Sequence, residues 1–331
     1  MRNCQLATLL AAARLALVAI SLALPGAAHA ETFPVPGKPV RIIVPFPAGG
    51  QTDVQARAIG QKLAESLGVP VIVENKPGGS TLLGAREVQR AAPDGHTLLY
   101  TIAIHVQLPH LYRNPPWDVF ADFTPITAGA RSATVLTAHV STPFNTVPEL
   151  VAYAKANPGK LNYASFGTGT TSHLNGALFR LRAGIDLVHV PYKGSGDAMK
   201  DHLAGAVELF FDGPTTAISN AATGRVKLIA AASETRYTAL PDLPTMREQG
   251  FDVGLWGYLW FWGPPGMSSA TVEAVYSHLA KAITRPEVRE LFAKGGAEAS
   301  GMPPAEMARE VKRLSESWGA VIREVGVRLE P

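Results

Sequence analysis

The sequence predicts an α/β protein of two lobes, each built on a mostly parallel sheet, joined by a hinge and enclosing a ligand cleft. Three observations predict it. Apolar strand-like runs alternate with helical patterns along the chain. The joints from strand to helix are rich in glycine. A chain of 331 residues with 47% hydrophobic content is too long for one ordinary core and has ample material for two.

The first thirty residues are set aside before any fold is read. Arg2 and Arg14, an apolar stretch from Leu15 to Leu24, the Pro25-Gly26 break and Ala28-His29-Ala30 have the layout of a secretory signal peptide. Cleavage is expected after Ala30, giving an exported, periplasmic protein. Cys4 is the single cysteine and falls inside that leader, so the mature chain is expected to have no disulfide and no cysteine chemistry. Losing Arg2 and Arg14 leaves 28 basic residues against 27 acidic ones, without the basic patch that a nucleic-acid partner requires.

RIIVPF (Arg41 to Phe46) reads as an apolar strand, and Ile59, Leu63 and Leu67 before Gly68 mark the helix that follows. VPVIVEN (Val69 to Asn75) is the second strand. A Pro-Gly-Gly-Ser turn opens a helix near Leu82 to Ala91, and HTLLYT (His96 to Thr101) is the third strand. Beyond Pro125, strands are expected at Ile126 to Ala130 and Thr134 to Val140. Thr146 and Glu149 then have capping-box spacing at the start of a helix. The first interlobe crossing is placed near Ala130.

From Leu161 the alternation resumes. Strands are expected to Phe166 and at Leu187 to Val190, Val207 to Phe211 and Val226 to Ala231, with helices between them. The aromatic segment WGYLWFWG has the spacing of a buried strand. Helices near Ala270 to Thr284, Pro286 to Lys294 and Pro304 to Val325 finish the chain. The expected division is 1–30 signal peptide, 31–130 with 236–331 as lobe 1, and 131–235 as lobe 2.

The two clearest strand-turn-helix joints, RIIVPFPAGGQTD and LNYASFGTGTTSH, carry the functional reading. A helix start leaves backbone N–H groups unpaired and is the positive end of the helix dipole, so each turn is a cradle for an anion. One lies in each lobe, and the glycines allow close backbone approach. Catalysis lacks comparable support. Ser172, His173 and Asp212 are triad residue types, but adjacent Ser and His at a helix start do not face each other, and there is no G-x-S-x-G elbow. GTGTTSH lacks the Gly-Lys-Ser/Thr ending of a phosphate loop, and the histidines have no metal-binding spacing. No catalytic residue, metal or cofactor is expected.

In order and spacing, PVRIIVPFPAGGQTD, VENKPGGS, APDGHTLL, NYASFGTGTTSH, HVPYKG, FFD, ALPDLPT and the Trp256 aromatic segment resemble the extracytoplasmic solute receptors called Bug proteins. These are the substrate-binding components associated with tripartite tricarboxylate transporters, and the resemblance spans nearly all of the mature chain. It implies a two-lobed periplasmic binding protein fold of type II-like form that takes a small carboxylate: a di- or tricarboxylate, an amino acid or an aromatic acid. It also implies a membrane transporter as partner. A membrane sensor is the alternative partner, and a monomer is the expected state.

By the same resemblance the ligand sits between Phe46, Ala48, Gly49, Gly50, Thr52 and Asp53 on one side and Ser165, Gly167, Thr168, Gly169, Thr170 and Ser172 on the other. Lys193 and Asp212 lie on turns expected to face the cleft. The segment TIAIHVQLPHLY departs from the family pattern, which brings His105 forward as a contact for the ligand's distal end. Asp53 has a second reading, as a cap for the first helix.

Overall fold

The computed structural model describes residues 33–78 and 81–329. The signal peptide with Cys4 and its cleavage point, and the Gly79-Ser80 part of the second turn, lie outside these residues. The first strands and helices follow the expected order: β1 (Val40–Val44), α1 (Gln51–Leu67), β2 (Val71–Asn75), α2 (Leu82–Gln89), β3 (Thr97–Thr101). A helix the sequence reading did not foresee comes next, α3 (Ile104–Leu111), followed by β4 (Thr124–Ser132).

A second group of elements runs from β5 (Thr134–His139) and α4 (Val147–Ala156) through β6 (Leu161–Ser165), α5 (Thr171–Ala183) and β7 (Leu187–Pro191). It continues with α6 (Ser195–Leu203), β8 (Leu209–Asp212), α7 (Pro214–Ala221) and β9 (Val226–Ala232). The chain then returns through β10 (Gly257–Gly263), α8 (Ser269–Ile283), α9 (Pro286–Lys294), β11 (Glu298–Ala299) and α10 (Pro304–Val325).

Two sheets result. The first has the order β11-β4-β10-β3-β1-β2 and the second β7-β6-β8-β5-β9. Both are mixed, which corrects the expectation of mostly parallel sheets. β1 pairs in parallel with β2 and β3, and β6 with β7 and β8. The strands nearest the crossings, β4, β5 and β10, pair antiparallel. The reason is connectivity, since strands that carry the chain out of one sheet and back meet head to tail.

The crossings lie side by side. β4 ends at Ser132 and β5 starts at Thr134, so the outward passage is Ala133, and Gly257 at the start of β10 pairs with Ser132. On the return path Gly254 (φ +104°) passes so close to β9 that a Cβ there would lie 2.2 Å from the carbonyl of Ala232.

Period-two alternation sorts the first sheet's side chains. Ile42, Val44, Leu259 and Phe261 enter one apolar cluster with Ile59 of α1 and Leu279 of α8. Ile43, Trp260 and Trp262 enter another, shared with Leu136 and Phe211 of the second sheet. Helix α10 joins that shared core through Met307, Val311, Leu314 and Trp318, a 3.6-residue stripe, and its exposed side ties Glu324 to Arg182 of α5 at 2.9 Å. Among the described residues no helix is long and apolar enough to cross a membrane.

Candidate anion site between two glycine turns

The two turns have the same construction. In the first, Gly49 takes φ +82°, Gly50 is the N-cap of α1 with φ −74° and ψ 166°, and no side chain caps the helix. In the second, Gly169 takes φ +80° and Thr170 is the N-cap of α5 with φ −74° and ψ 162°. A left-handed residue followed by an extended cap is a conformation that glycine adopts freely, and it turns the first N–H groups of each helix outward.

A side chain at the third helical position hooks back to the glycine in both turns. The Gly49 N–H donates to Asp53 Oδ2 at 2.9 Å, and the Gly169 N–H donates to His173 Nδ1 at 3.0 Å. These glycines therefore hold the turns in shape, and their N–H groups are committed. Asp53 also accepts from Asn75 Nδ2 at 3.0 Å and pairs with Arg57 at 2.9 Å. Burial pushes its carboxyl up, but Arg57, the Gly49 N–H and Asn75 together hold it below the usual carboxylate range. Neither sequence reading of Asp53 foresaw this hook, because Gly50 and not Asp53 occupies the cap.

The other expected residues divide into braces and surface. Ser165 Oγ bonds His189 Nε2 at 2.7 Å, Thr170 Oγ1 donates to the Gly167 carbonyl at 2.6 Å, and Ser172 Oγ donates to the Phe211 carbonyl at 2.5 Å. Phe46 is half-buried against both clusters, with its carbonyl accepting from Asn75 at 3.1 Å. Thr52 is buried behind the first turn, whereas Ala48, Gly49, Gly50 and Thr168 are exposed. Lys193 is exposed on the turn after β7 and has no ion pair among the described residues.

Asp212 ends β8 with no exposed surface, accepting from the Gly213 N–H at 2.7 Å and from Thr216 Oγ1 at 2.5 Å. Burial pushes it up to about 7 against these bonds. Ser172, His173 and Asp212 are each committed to different partners, so no nucleophile-base pair forms. Among the described residues no group of acids and histidines is arranged to hold a metal.

His105 has moved from where the sequence put it. Its ring is fully buried, stacked on Trp117 at 4.8 Å and flanked by Phe123 at 4.5 Å and Trp262 at 4.9 Å. Burial lowers it to about 3, so it packs as a neutral aromatic and presents no exposed edge.

Two glutamines that sequence reasoning missed reach across to the second sheet's turns. Gln107 of α3 donates from Nε2 to Thr171 Oγ1, the first residue of α5, at 3.0 Å. Gln51, the first residue of α1, brings Oε1 to 3.9 Å from where a Cβ on Gly213 would stand. Leu111 of α3 comes to 3.0 Å from the same position on Gly169. The strand ends of the two sheets thus meet with both helix starts at their junction. Surface hollows of about 230 Å³ beside Arg309 and about 420 Å³ beside Leu240 also exist, but no residue of either turn lines them.

Residues 55–327 match the family described as the tripartite tricarboxylate transporter family receptor. A Pseudomonas sp. (strain P51) protein from the tcbD-tcbE intergenic region is 35% identical over 293 residues, covering 87% of each chain. The solved periplasmic binding protein BugD is 33% identical with a TM-score of 0.79, over 89% of this chain and all of that one. An R. palustris protein solved with adipate is 29% identical with a TM-score of 0.81, over 88% of this chain and 99% of that one.

Proposed function

The chain belongs to the tripartite tricarboxylate transporter receptor family, and from that premise we propose that it is an exported solute receptor that closes on a small carboxylate between the Phe46–Asp53 and Ser165–Ser172 turns. The lobes that close are 31–130 with 236–331, and 131–235, hinged at the paired crossings. The loaded receptor hands its ligand to a membrane transporter and performs no chemistry on it. The observation that carries this reading is the matched pair of turns, two helix starts with the same backbone conformation brought together at the junction of the sheets. The adipate found in the R. palustris neighbour agrees with a carboxylate as ligand.

The magnitudes are adequate without a lysine clamp. Micromolar binding requires about 8 kcal/mol. Charge-assisted hydrogen bonds contribute about 1.5–3 kcal/mol each and a favourable helix end about 0.3–2 kcal/mol. Three or four such bonds and two helix ends reach that total only where the turns are already in shape, which is what the Asp53 and His173 hooks accomplish.

The test is a thermal-shift panel on the mature, ligand-stripped protein against aliphatic di- and tricarboxylates, amino acids and aromatic carboxylates. A ligand at 100 times its Kd adds about 2.7 kcal/mol and raises Tm by several degrees. The proposal expects a selective shift that disappears in the combined Thr52→Ala and Thr170→Ala variant. Silence across the panel from folded, empty protein would overturn it.

A further inference from the structure

Five polar side chains that follow the ends of the adjacent strands β3, β1 and β2 hold buried polar atoms without a hydrogen-bond partner; His105 is walled in by Trp117, Phe123 and Trp262, which leaves four. They are Gln51, Thr81, Thr101 and Gln107. Gln51 leaves its Nε2 donor unpartnered, and Gln107, with no exposed surface, leaves its Oε1 acceptor unpartnered. The Thr81 and Thr101 hydroxyls are unpartnered as well and can either donate or accept. A buried polar atom without a partner is costly. Four along one edge, beside the helix start that Gln107 touches, mark the place where a ligand supplies the missing partners.

From this edge we infer that the receptor selects monocarboxylates carrying a neutral group that both donates and accepts, such as a primary amide or a hydroxyl, over dicarboxylates. The inference rests on the carboxylate reading above and deepens it. The ligand's carboxylate takes the helix starts, and its neutral end lies between the two glutamines. An amide fits that end on both counts, its N–H meeting Gln107 Oε1 and its oxygen accepting from Gln51 Nε2. A second carboxylate satisfies Gln51 but sets an anion against the Gln107 oxygen, with no proton to give it.

The charge inventory points the same way. Among the described residues no lysine or arginine is buried. Lys76, at the end of β2, already pairs with Glu74 and Glu87, and Lys193 is exposed. The buried ionisable groups at the facing turns are His173, whose Nδ1 accepts the Gly169 N–H, and Asp212, whose oxygens accept from the Gly213 N–H and Thr216 Oγ1, and neither is a cation that could pair with a second carboxylate. Desolvating that second charge without a partner is unfavourable.

The experiment is calorimetry on the mature, ligand-stripped protein with matched pairs: succinate and its monoamide, glutarate and its monoamide, adipate and its monoamide, terephthalate and 4-carbamoylbenzoate. Each pair differs by one charge at nearly constant shape. In whichever pair binds, the monoamide should be tighter by about tenfold or more, the ratio of one net hydrogen bond of ordinary strength. Gln107→Ala and, separately, Gln51→Ala should narrow that ratio to within about twofold, with folding checked by circular dichroism. A dicarboxylate equal to or tighter than its monoamide overturns the inference and leaves the carboxylate receptor standing. A preference unchanged in both variants overturns the role of the glutamines. Failure of every pair, and of the wider panel, overturns the carboxylate reading and this inference with it.

Discussion

Asp53 and His173 show how two chemically unlike side chains perform one task. Each sits at the third position of its helix and accepts the N–H of a left-handed glycine four residues back, at 2.9 Å and 3.0 Å. Asp53→Ala removes that acceptor together with the partner of Arg57 and of Asn75. Hydrogen bonds to a charged group are worth about 1.5–3 kcal/mol, so the variant should lose about 2–3 kcal/mol in urea unfolding and bind carboxylate more weakly. The pH sign follows from the lowered carboxyl. Its contribution is present above the unfolded pKa and fades as pH falls through the lower folded value, so the wild-type advantage over Asp53→Ala should shrink on acidification. His173→Ala leaves the buried Gly169 N–H without an acceptor and should cost about 1–3 kcal/mol, measured in the same way. The sequence displayed both glycine turns but not the hooks. A motif shows residue types at a spacing, whereas a hook depends on which rotamer the packed structure selects.

Elements were legible where amphipathic pattern or caps marked them and illegible where burial erased the pattern. Helix α10 spans Pro304–Val325, the range its helical pattern was expected to cover, and Thr146 caps α4 by accepting the Glu149 N–H at 3.3 Å. Helix α3 was missed because six of its eight residues are buried, polar Gln107 and His105 among them, so no face alternates, and Pro109 argued against a helix. Gln107 was therefore never a sequence candidate, although it hydrogen-bonds the first residue of α5. The crossing strands were placed within a few residues, but their antiparallel pairing was hidden, because direction in a sheet is a property of the path and not of the segment. At the return crossing, Gly254→Ala would push a Cβ to 2.2 Å from the Ala232 carbonyl at φ +104°. Overpacking and strained backbone each cost about 1–3 kcal/mol, so the variant should lose at least about 2 kcal/mol in denaturant unfolding. Thr170→Ala, which removes the α5 cap, should lose only about 1 kcal/mol by the same measurement.

At the scale of the whole molecule, the shared apolar cluster makes the two sheets parts of one folding unit, and its buried ionisable groups set how stability responds to pH. Burial lowers His105 to about 3, and lowers His173, His189 and His202 to about 4, with Arg180 adding to the effect at His173 and the neighbouring His173 and Arg180 at His189. The unfolded chain protonates these four near the ordinary 6.5. Between about 6.5 and 4 the unfolded state therefore binds more protons, and stability falls as pH falls. Asp212, pushed up to about 7 by burial, has the opposite sign. It stays protonated in the fold while ionised in the unfolded chain, so its contribution is full below the unfolded carboxyl pKa near 4 and is lost as pH rises toward 7. One acid contributes a slope of at most about 1.4 kcal/mol per pH unit, against the same ceiling for each of four histidines, so the histidines win. Urea unfolding of the wild type should show stability declining steadily from pH 6.5 to 4. Asp212→Asn removes the one opposing slope among these five groups, so the decline should steepen in the variant. A wild-type protein that gains stability over that range, or a variant with the shallower slope, would show that these groups do not keep their buried, neutral states in the folded chain.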